Sequence, residues 1–315
     1  MNGLSKGTVV WSEIGEEAAG QRIDNYLLKH LKGVPKSHVY RILRSGEVRV
    51  NSRRVAATYR LETGDRVRVP PVRTGIRSDR PMPAGPKLGL TPLYEDEWIL
   101  AIDKPAGLAV HGGSGISAGA IERLRAERPD ARFLELVHRL DRETSGVLLM
   151  AKKRAALTAL HAQLRNGEVD KRYLALVLGK WRNAKQTVEL GLHKFVTRGG
   201  ERRVVVDEEG AASRTVFRLK QQWADFSLLE AHLETGRTHQ IRVHLAHLGF
   251  PIAGDDKYGD FAANRECASR ALKRMFLHAA RMTVRHPDSG QRLVLESPLP
   301  RELVEFLARL GTVSG

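Results

Sequence analysis

The sequence predicts an α+β protein with two domains: a small unit of helices and a hairpin, then a larger domain on a mixed or antiparallel sheet. Its 315 residues exceed the usual size of one domain. Strand-like and helix-like segments in the larger part do not alternate as they do in a doubly wound sheet. We therefore expect an N-terminal extension over 1–19, a small domain over 20–72, a linker over 73–92 and a larger domain over 93–315.

The small domain is predicted from the spacing of its apolar residues. Apolar residues four positions apart predict a helix over 23–31, and a second helix is predicted over 37–44 with Ser37 as its N-cap. Alternating valines predict two short strands at 48–50 and 67–69, which would pair as a hairpin.

Positive charge is concentrated in this small domain. The chain carries 52 Lys and Arg against 36 Asp and Glu, a formal net charge of +16. Residues 21–71 hold 12 of the basic residues and 4 of the acidic ones, a net charge of +8 and half of the excess. A basic helix face with Lys36, Arg41 and Arg44 is expected to contact the phosphates of RNA, although an ordinary solvated surface could have the same composition.

The sequence also indicates where the protein acts. No apolar run approaches the ~18 residues that a membrane-spanning helix needs, and the first 20 residues do not resemble a signal peptide. Cys267 is the only cysteine, so no intrachain disulfide can form, which fits a reducing compartment. We expect a cytoplasmic monomer with no membrane partner.

A Pro-rich segment separates the two domains. Six of the 13 prolines lie between Pro70 and Pro92, together with Gly75, Gly85 and Gly89. Proline removes backbone donors and glycine weakens helices, so this segment is expected to form a semi-rigid spacer.

The larger domain is predicted to contain buried strands and amphipathic helices. Continuous apolar runs indicate the strands, and leucines at helical spacing indicate the helices. The predicted strands are 98–102, 147–151, 173–178 and 226–229, and the predicted helices are 155–164 and 238–248.

One motif carries most of the functional information. It reads His138-Arg139-Leu140-Asp141-Arg142-Glu143-Thr144-Ser145-Gly146 and precedes a predicted strand, so it is expected to form a loop beside the sheet. Here the chain resembles the pseudouridine synthase family, whose signature is H-R-L-D-x-x-T-S-G. The resemblance covers nearly the whole chain and includes Lys171-Arg172-Tyr173, Gly236 to Arg242, Asp256 to Gly259 and Phe276 to Ala279. The small basic domain resembles the alpha-L RNA-binding domain first found in a small-subunit ribosomal protein.

The resemblance implies an enzyme that isomerises specific uridines to pseudouridine in large-subunit (23S) ribosomal RNA. Asp141 is implied as the nucleophile, and a carboxylate suits this role because it is ionised at neutral pH and can leave again. Arg242 is expected to pair with Asp141. Tyr173 is expected to stack on the target base and is a candidate to move a proton at C5, while Leu277 packs on the other face of the base. Asp141 could attack either the base or the sugar.

The resemblance also implies how the RNA is used. A base stacked in RNA cannot reach such a loop, so the nucleotide must flip out, which costs a few kcal/mol. Arg139 is expected to fill the vacated stack. The reaction needs no metal, nucleotide or redox group, so we expect no cofactor, and ribosomal RNA or a precursor particle as the partner.

Other interpretations compete with this one. An aspartate between Arg139 and Arg142 is often only a surface ion pair. A non-catalytic RNA-binding assembly factor of the same fold would have no chemical reason to keep Asp141, Tyr173 and Arg242 together. An RNA methyltransferase with the same small domain would need a methyl-donor loop, which we do not find in the sequence.

Three further patterns are interpreted as structural. Residues 115–119 match the G-x-S-x-G pattern of serine hydrolases but are predicted to form a turn before a helix. His239, His244 and His247 do not share one helical face, which disfavours a metal site. Asp255-Asp256 lies among glycines and is predicted to occupy a turn.

Overall fold

The computed structural model describes residues 9–31, 34–72, 89–90, 92–112, 118–197 and 201–311. The chain divides into two compact units, residues 1–83 and 84–315. Most of the predicted linker, and residues 113–117 of the G-x-S-x-G stretch, lie outside the described residues. The predicted domain limits therefore stay predictions. Among the described residues, no helix has both the length and the apolar character needed to span a membrane.

The first unit packs two helices and a three-stranded antiparallel sheet around one core. Strand β3 lies in the middle of the sheet and pairs with both β1 and β2. The core joins helices and strands, and Ile23, Leu27, Val39 and Val67 are fully buried in it. In chain order the elements are β1 Val10–Glu13, a 3-10 turn Glu16–Ala18, α1 Ile23–His30, α2 Lys36–Arg44, β2 Arg49–Val50 and β3 Arg66–Val69.

The first unit differs from the sequence prediction in three details. Strand β1 lies within the predicted extension 1–19 but pairs with β3 along four residues. Helix α2 begins at Lys36 with Pro35, not Ser37, as its N-cap, because Pro35 has the non-helical backbone of an N-cap (φ −57°, ψ 140°) and Ser37 already lies within the first turn. Strands β2 and β3 pair, but residues 51–65 separate them, so they are not joined by a tight hairpin.

The second unit is built on a mixed sheet, which confirms the predicted α+β class. Every strand and helix that was predicted for this part of the chain is present, with ends shifted by a few residues. The strands are β4 Pro92–Glu95, β5 Ile99–Lys104, β6 Glu135–Leu136, β7 Ser145–Ala151, β8 Asp170–Leu178, β9 Lys185–Val196, β10 Arg202–Val206, β11 Ala211–Gln222, β12 Phe226–Leu233, β13 Leu277–Arg285 and β14 Arg292–Glu296. The helices are α3 Ala120–Glu127, α4 Arg154–Arg165, α5 Gln240–His247, α6 Phe261–Ser269 and α7 Arg301–Gly311.

The centre of the sheet determines where the signature motif lies. The strand order is β10-β9-β11-β12-β8-β13-β7-β5-β4, with β14 beside β13 and β6 beside β7. Among the described strands, β13 and β7 form the parallel pair, with Ser145 opposite His278 and Gly146 opposite Ala279. Parallel pairing puts the first residues of both strands at the same end of the sheet. The motif loop before β7 and Leu277 at the start of β13 are therefore neighbours.

Gly146 is required by this strand pairing. Its φ is +110°, and a Cβ at this position would overlap the carbonyl oxygen of Ala279 in the neighbouring strand. The last glycine of the signature therefore allows the close approach of the two backbones that carry the site.

We expect Gly146→Ala to lower the free energy of unfolding by about 2–5 kcal/mol, since it adds both a clash and backbone strain. Gly167→Ala is the matched control, because Gly167 also has a positive φ (+73°) but no atom lies within 4 Å of the added methyl. The control should lose only about 1–2 kcal/mol. Urea unfolding measures both losses, and equal losses would contradict the role given to the contact with Ala279.

Candidate active site

Five residues that the sequence analysis selected meet at one cavity of about 350 Å³ in the second unit. They come from the motif loop, from β8, from α5 and from the first residue of β13. The five residues are Arg139, Asp141, Tyr173, Arg242 and Leu277. Segments far apart in the chain thus contribute to a single site.

A buried lysine, Lys104, donates a hydrogen bond to the backbone of the motif loop. Lys104 is fully buried at the end of β5, and its Nζ donates hydrogen bonds to the carbonyl oxygens of Pro105 (2.8 Å), Leu108 (2.8 Å) and Arg142 (3.1 Å). Burial and the positive charge of Arg274 lower the pKa of Lys104 to about 7, while nearby carboxylates, including that of Asp141, oppose this shift. Because Arg142 follows Asp141 directly, these bonds restrict the backbone that carries Asp141.

The histidine of the motif, His138, links the motif loop to strand β7 by a hydrogen bond. His138 Nε2 accepts a hydrogen bond from the backbone N–H of Leu149 in β7 (3.1 Å). Burial and the positive charge of Lys171 lower the pKa of His138 to about 4. His138 is therefore neutral at physiological pH and acts as a structural acceptor.

Asp141 lies at the end of a chain of ion pairs. Its Oδ2 accepts a hydrogen bond from Arg242 Nη1 (3.2 Å), and 18% of its side chain is exposed. Arg242 is buried, and its other two nitrogens bind both oxygens of Asp255, each at 2.7 Å. Burial opposes the charge on Arg242, but the hydrogen bonds and charges of Asp255 and Asp141 raise its pKa above the usual value. The predicted contact between Arg242 and Asp141 is present.

Asp255 is a site residue that the sequence analysis did not identify. It occupies the predicted turn, where its Oδ1 also accepts hydrogen bonds from the backbone N–H groups of Lys257 (2.9 Å) and Tyr258 (3.0 Å). Burial disfavours its charge, yet the hydrogen bonds and charge of Arg242 lower its pKa below the usual value. Asp255 therefore fixes the orientation of the Arg242 guanidinium, and Nη1 is the nitrogen that remains to bind Asp141.

Tyr173 and Leu277 give the cavity its apolar walls. Both side chains are buried, and both line the cavity. Burial and the negative charge of Asp141 raise the pKa of Tyr173 well above its usual value, so it remains a neutral phenol at physiological pH. This state suits the predicted stacking on a base and disfavours Tyr173 as a proton acceptor.

His239 is a second residue whose place in the site was missed. Its Nε2 lies 3.8 Å from Asp141 Oδ1, and its Nδ1 lies 2.7 Å from the hydroxyl of Tyr258, which accepts a hydrogen bond from the backbone N–H of Val204. Burial lowers the pKa of His239, so the imidazole is mainly neutral. Its backbone is left-handed, with φ of +53°, just before α5. His239 lies in the Gly236 to Arg242 stretch that resembles the family, but the sequence analysis considered it only as a metal ligand.

Exposed arginines complete the lining of the cavity. Arg139, Arg165 and Arg237 all line it and are all exposed to solvent. An exposed guanidinium at a cavity can bind phosphate and also stack on a base. Arg139 is therefore free to take the predicted position in a vacated base stack.

The remaining predicted contact residues lie in the first unit. Lys36, Arg41 and Arg44 are all exposed on α2, as expected for a basic face. Arg41 makes one loose ion pair with Glu47, with a shortest distance of 3.7 Å, so most of the charge stays available to a ligand.

Two of the histidines that were considered as metal ligands, His239 and His244, have hydrogen-bond partners in the protein. Buried His244 contacts Ser213, with 2.8 Å between Nε2 and the serine hydroxyl. Within the described ranges, no group of three His, Cys, Asp or Glu side chains could hold a metal ion.

Two family models match the chain. A model described as RNA pseudouridylate synthase matches residues 99–247, and one described as S4 domain matches residues 21–67. The first match contains Asp141, Tyr173 and Arg242, and the second contains Lys36, Arg41 and Arg44.

Curated relatives match nearly the full length of the chain. A protein of Salmonella typhi named ribosomal large subunit pseudouridine synthase C is 52% identical over 300 residues, covering 93% of this chain and 94% of that protein. Proteins of the same name from Escherichia coli K12 and Pasteurella multocida are each 51% identical, covering 94% of this chain and 95% and 92% of their own lengths.

Solved structures resemble this chain more distantly than the curated relatives do. The human RNA pseudouridylate synthase domain containing 4 is 25% identical with a TM-score of 0.57, covering 70% of this chain and 92% of that chain. The human domain containing 1 is 23% identical with a TM-score of 0.55, covering 71% and 95%, and this likeness concerns the fold alone.

Proposed function

This chain belongs to the family of RNA pseudouridine synthases, and we propose that it isomerises specific uridines of large-subunit (23S) ribosomal RNA to pseudouridine. The three bacterial relatives carry names that specify the large ribosomal subunit, and each alignment covers more than nine tenths of both chains. The observation that carries the proposal is the position of Asp141, beside Arg242 and Tyr173 in one cavity.

Asp141 is the proposed nucleophile. The reaction breaks the bond between N1 of the base and C1′ of the ribose, turns the base and joins C5 to C1′. C5 loses a proton and N1 gains one, so the composition of the RNA does not change. Arg242 orients the attacking carboxylate, and Asp255 keeps Arg242 in place. A fixed nucleophile lowers the entropic part of the barrier.

The target uridine is proposed to reach this cavity by leaving its base stack. Tyr173 and Leu277 then contact the two faces of the base, and exposed Arg139 fills the space that the base left. Flipping costs a few kcal/mol, which the contacts of the base in the cavity must offset.

The first unit is proposed to anchor the RNA. Its S4 domain match and the exposed residues Lys36, Arg41 and Arg44 support contacts to phosphate. The enzyme is proposed to act as a monomer in the cytoplasm, with ribosomal RNA as its partner.

Reversing Lys36, Arg41 and Arg44 together to Glu should weaken RNA binding at least ~10-fold at physiological salt and flatten its salt dependence, because fewer counterions are released. The rate constant at saturating RNA should stay within about twofold of wild type, since phosphate contacts position the enzyme without touching the reacting base. Single-turnover kinetics across a salt series separates the two effects. An unchanged salt slope would contradict the anchoring role.

The purified enzyme should keep full activity in excess EDTA with no added nucleotide. The isomerisation transfers no electrons, and the proposed nucleophile is an ionised side chain that needs no activating metal. The rate of pseudouridine formation in a ribosomal RNA fragment is measured with and without the chelator. Loss of activity that one particular metal restores would refute this expectation, provided that the RNA itself stays folded in EDTA.

The substrate assignment is tested by chemical mapping of pseudouridine in 23S ribosomal RNA from cells with and without the gene. We expect specific sites to lose the modification in the deletion strain and to regain it on complementation. An unchanged map would reject the proposed substrate.

A further inference from the structure

A second buried cation lines the cavity, and the mechanism above does not use it. Lys171 is 8% exposed and contributes to the cavity wall. Among the described residues, its ammonium group has no carboxylate within ion-pair distance and makes no hydrogen bond. Arg242 and Lys104, the other buried cations near Asp141, both have good partners.

The residues next to Lys171 in the sequence do not neutralise its positive charge. Successive side chains of a strand point to opposite faces. Asp170 and Arg172 lie on the other face of β8 and bind each other at 2.6 and 2.8 Å, and Arg172 also reaches Glu230 at 3.3 Å. Lys171 and Tyr173 share the face that lines the cavity.

The ammonium group of Lys171 reaches the cavity, but its partial burial without a protein partner is still costly to the folded protein. Removing such a group from water costs several kcal/mol unless an anion or good acceptors replace the lost hydration. Burial accordingly lowers the pKa of Lys171. A buried cation without a protein partner at a cavity is expected where the ligand supplies the partner.

The depth of Lys171 indicates which part of the nucleotide is the partner. The exposed Arg139, Arg165 and Arg237 are suited to phosphate, which stays hydrated on the RNA backbone. Lys171 is as buried as Tyr173, two residues along the same strand, and Tyr173 is the proposed stacking surface for the base.

We propose that Lys171 is a further catalytic residue, whose ammonium group binds a carbonyl oxygen of the flipped uracil and stabilises negative charge on the ring during the reaction. This inference rests on the proposed function.

Both chemical routes for Asp141 create that charge. If Asp141 bonds to C1′, N1 leaves with the electron pair of the broken bond, and the uracil anion spreads its charge over N1 and the carbonyl oxygens O2 and O4. If Asp141 bonds to C6 of the base, the C5–C6 π pair moves towards C5 and O4. In either case the charge is consumed when the new bond is complete, C5 has released its proton and N1 has gained one. The contact of Lys171 is then stronger in the transition state than in the ground state, which is the condition for catalysis.

The test compares Lys171→Met with wild type in single-turnover reactions on a 23S RNA fragment. We expect the rate constant at saturating RNA to fall at least ~100-fold, as for loss of one donor to a developing anion. The dissociation constant for RNA should change less than ~3-fold, and the Tm should stay equal or rise, because an unpaired buried charge is removed. Lys171→Arg keeps the charge and should retain more activity than Lys171→Met.

Arg172→Met is the matched control, since it removes the adjacent cation from the opposite face of β8. It should lower the Tm, because Asp170 and Glu230 lose a partner, and leave the rate at saturating RNA within about twofold of wild type.

Several outcomes would overturn the inference. An unchanged rate with weaker RNA binding would make Lys171 a phosphate contact. A lowered Tm together with a normal rate in the folded fraction would make it a structural residue. Equal activity of the Met and Arg variants would exclude a role for its charge. If wild type itself formed no pseudouridine, the proposed function would fail first.

Discussion

Asp141→Asn is expected to reduce pseudouridine formation to background, a loss of at least ~10³-fold in the single-turnover rate. The amide keeps the shape of the carboxylate but is not a competent nucleophile. Because Arg242 is held independently by Asp255, the cavity should keep its geometry in the variant. RNA binding should therefore stay within ~3-fold of wild type. Nucleoside chromatography of the digested RNA measures the product, and filter binding measures affinity.

This experiment also separates an enzyme from an RNA-binding assembly factor of the same fold. Wild type, Asp141→Asn and Asp141→Glu are compared on the same RNA, and thermal melting verifies that each is folded. Substantial turnover by folded Asp141→Asn would refute the nucleophile assignment. A non-catalytic factor would leave the uridines unmodified with all three proteins.

Arg242→Met should lower the free energy of unfolding by about 3–5 kcal/mol and also abolish activity. Asp255 is 1% exposed, so the substitution leaves a buried carboxylate without its bidentate partner, and such losses are of this size. Activity should fall because Asp141 loses the only guanidinium contact found for it among the described residues. Urea unfolding gives the stability, and single-turnover kinetics gives the activity.

The double variant Arg242→Met, Asp255→Asn is the control for this prediction, because the amide removes the charge while its oxygen can still accept hydrogen bonds from the backbone N–H groups of Lys257 and Tyr258. Removing both charges of a buried pair is often nearly neutral, so much of the lost stability should return. Activity should stay absent, because Asp141 remains without Arg242. If the double variant were no more stable than the single one, the unpaired Asp255 would not be the cause of the loss.

Strands β9 and β10, which sequence analysis missed, are more exposed than the strands β5 and β7, which it found. Strands β5 and β7 are almost wholly buried, so their continuous apolar runs were visible in the sequence. Strands β9 and β10 were not predicted, because much of their length is exposed and their polar residues break the pattern. Such strands are specified by pairing with each other and with β11, which a local pattern does not contain.

The site residues also divide into those that the local sequence could reveal and those whose roles depend on the folded structure. The motif located the loop with Asp141, and family resemblance supplied its pairing with Arg242, which is 101 positions away. Residue spacing alone holds no information on a pair so distant. Asp255 and His239 were missed because their roles depend on which side chains the fold brings near them. An aspartate in a turn and a histidine before a helix have ordinary local explanations.

The two hydrogen bonds between Asp255 and Arg242 affect the formal charge of the site throughout the reaction. Arg242 and Asp255 neutralise each other at every stage, whether or not Asp141 is charged. In the resting enzyme, Asp141 and Lys171 line the same cavity with opposite formal charges, although they do not form an ion pair with each other. When Asp141 becomes an ester and the uracil becomes an anion, the negative charge has moved across the cavity, but the sum over these groups is still zero. On the proposed mechanism, the uracil anion of the covalent intermediate therefore has the ammonium group of Lys171 beside it, and the summed formal charge of these groups is the same before and after the intermediate forms.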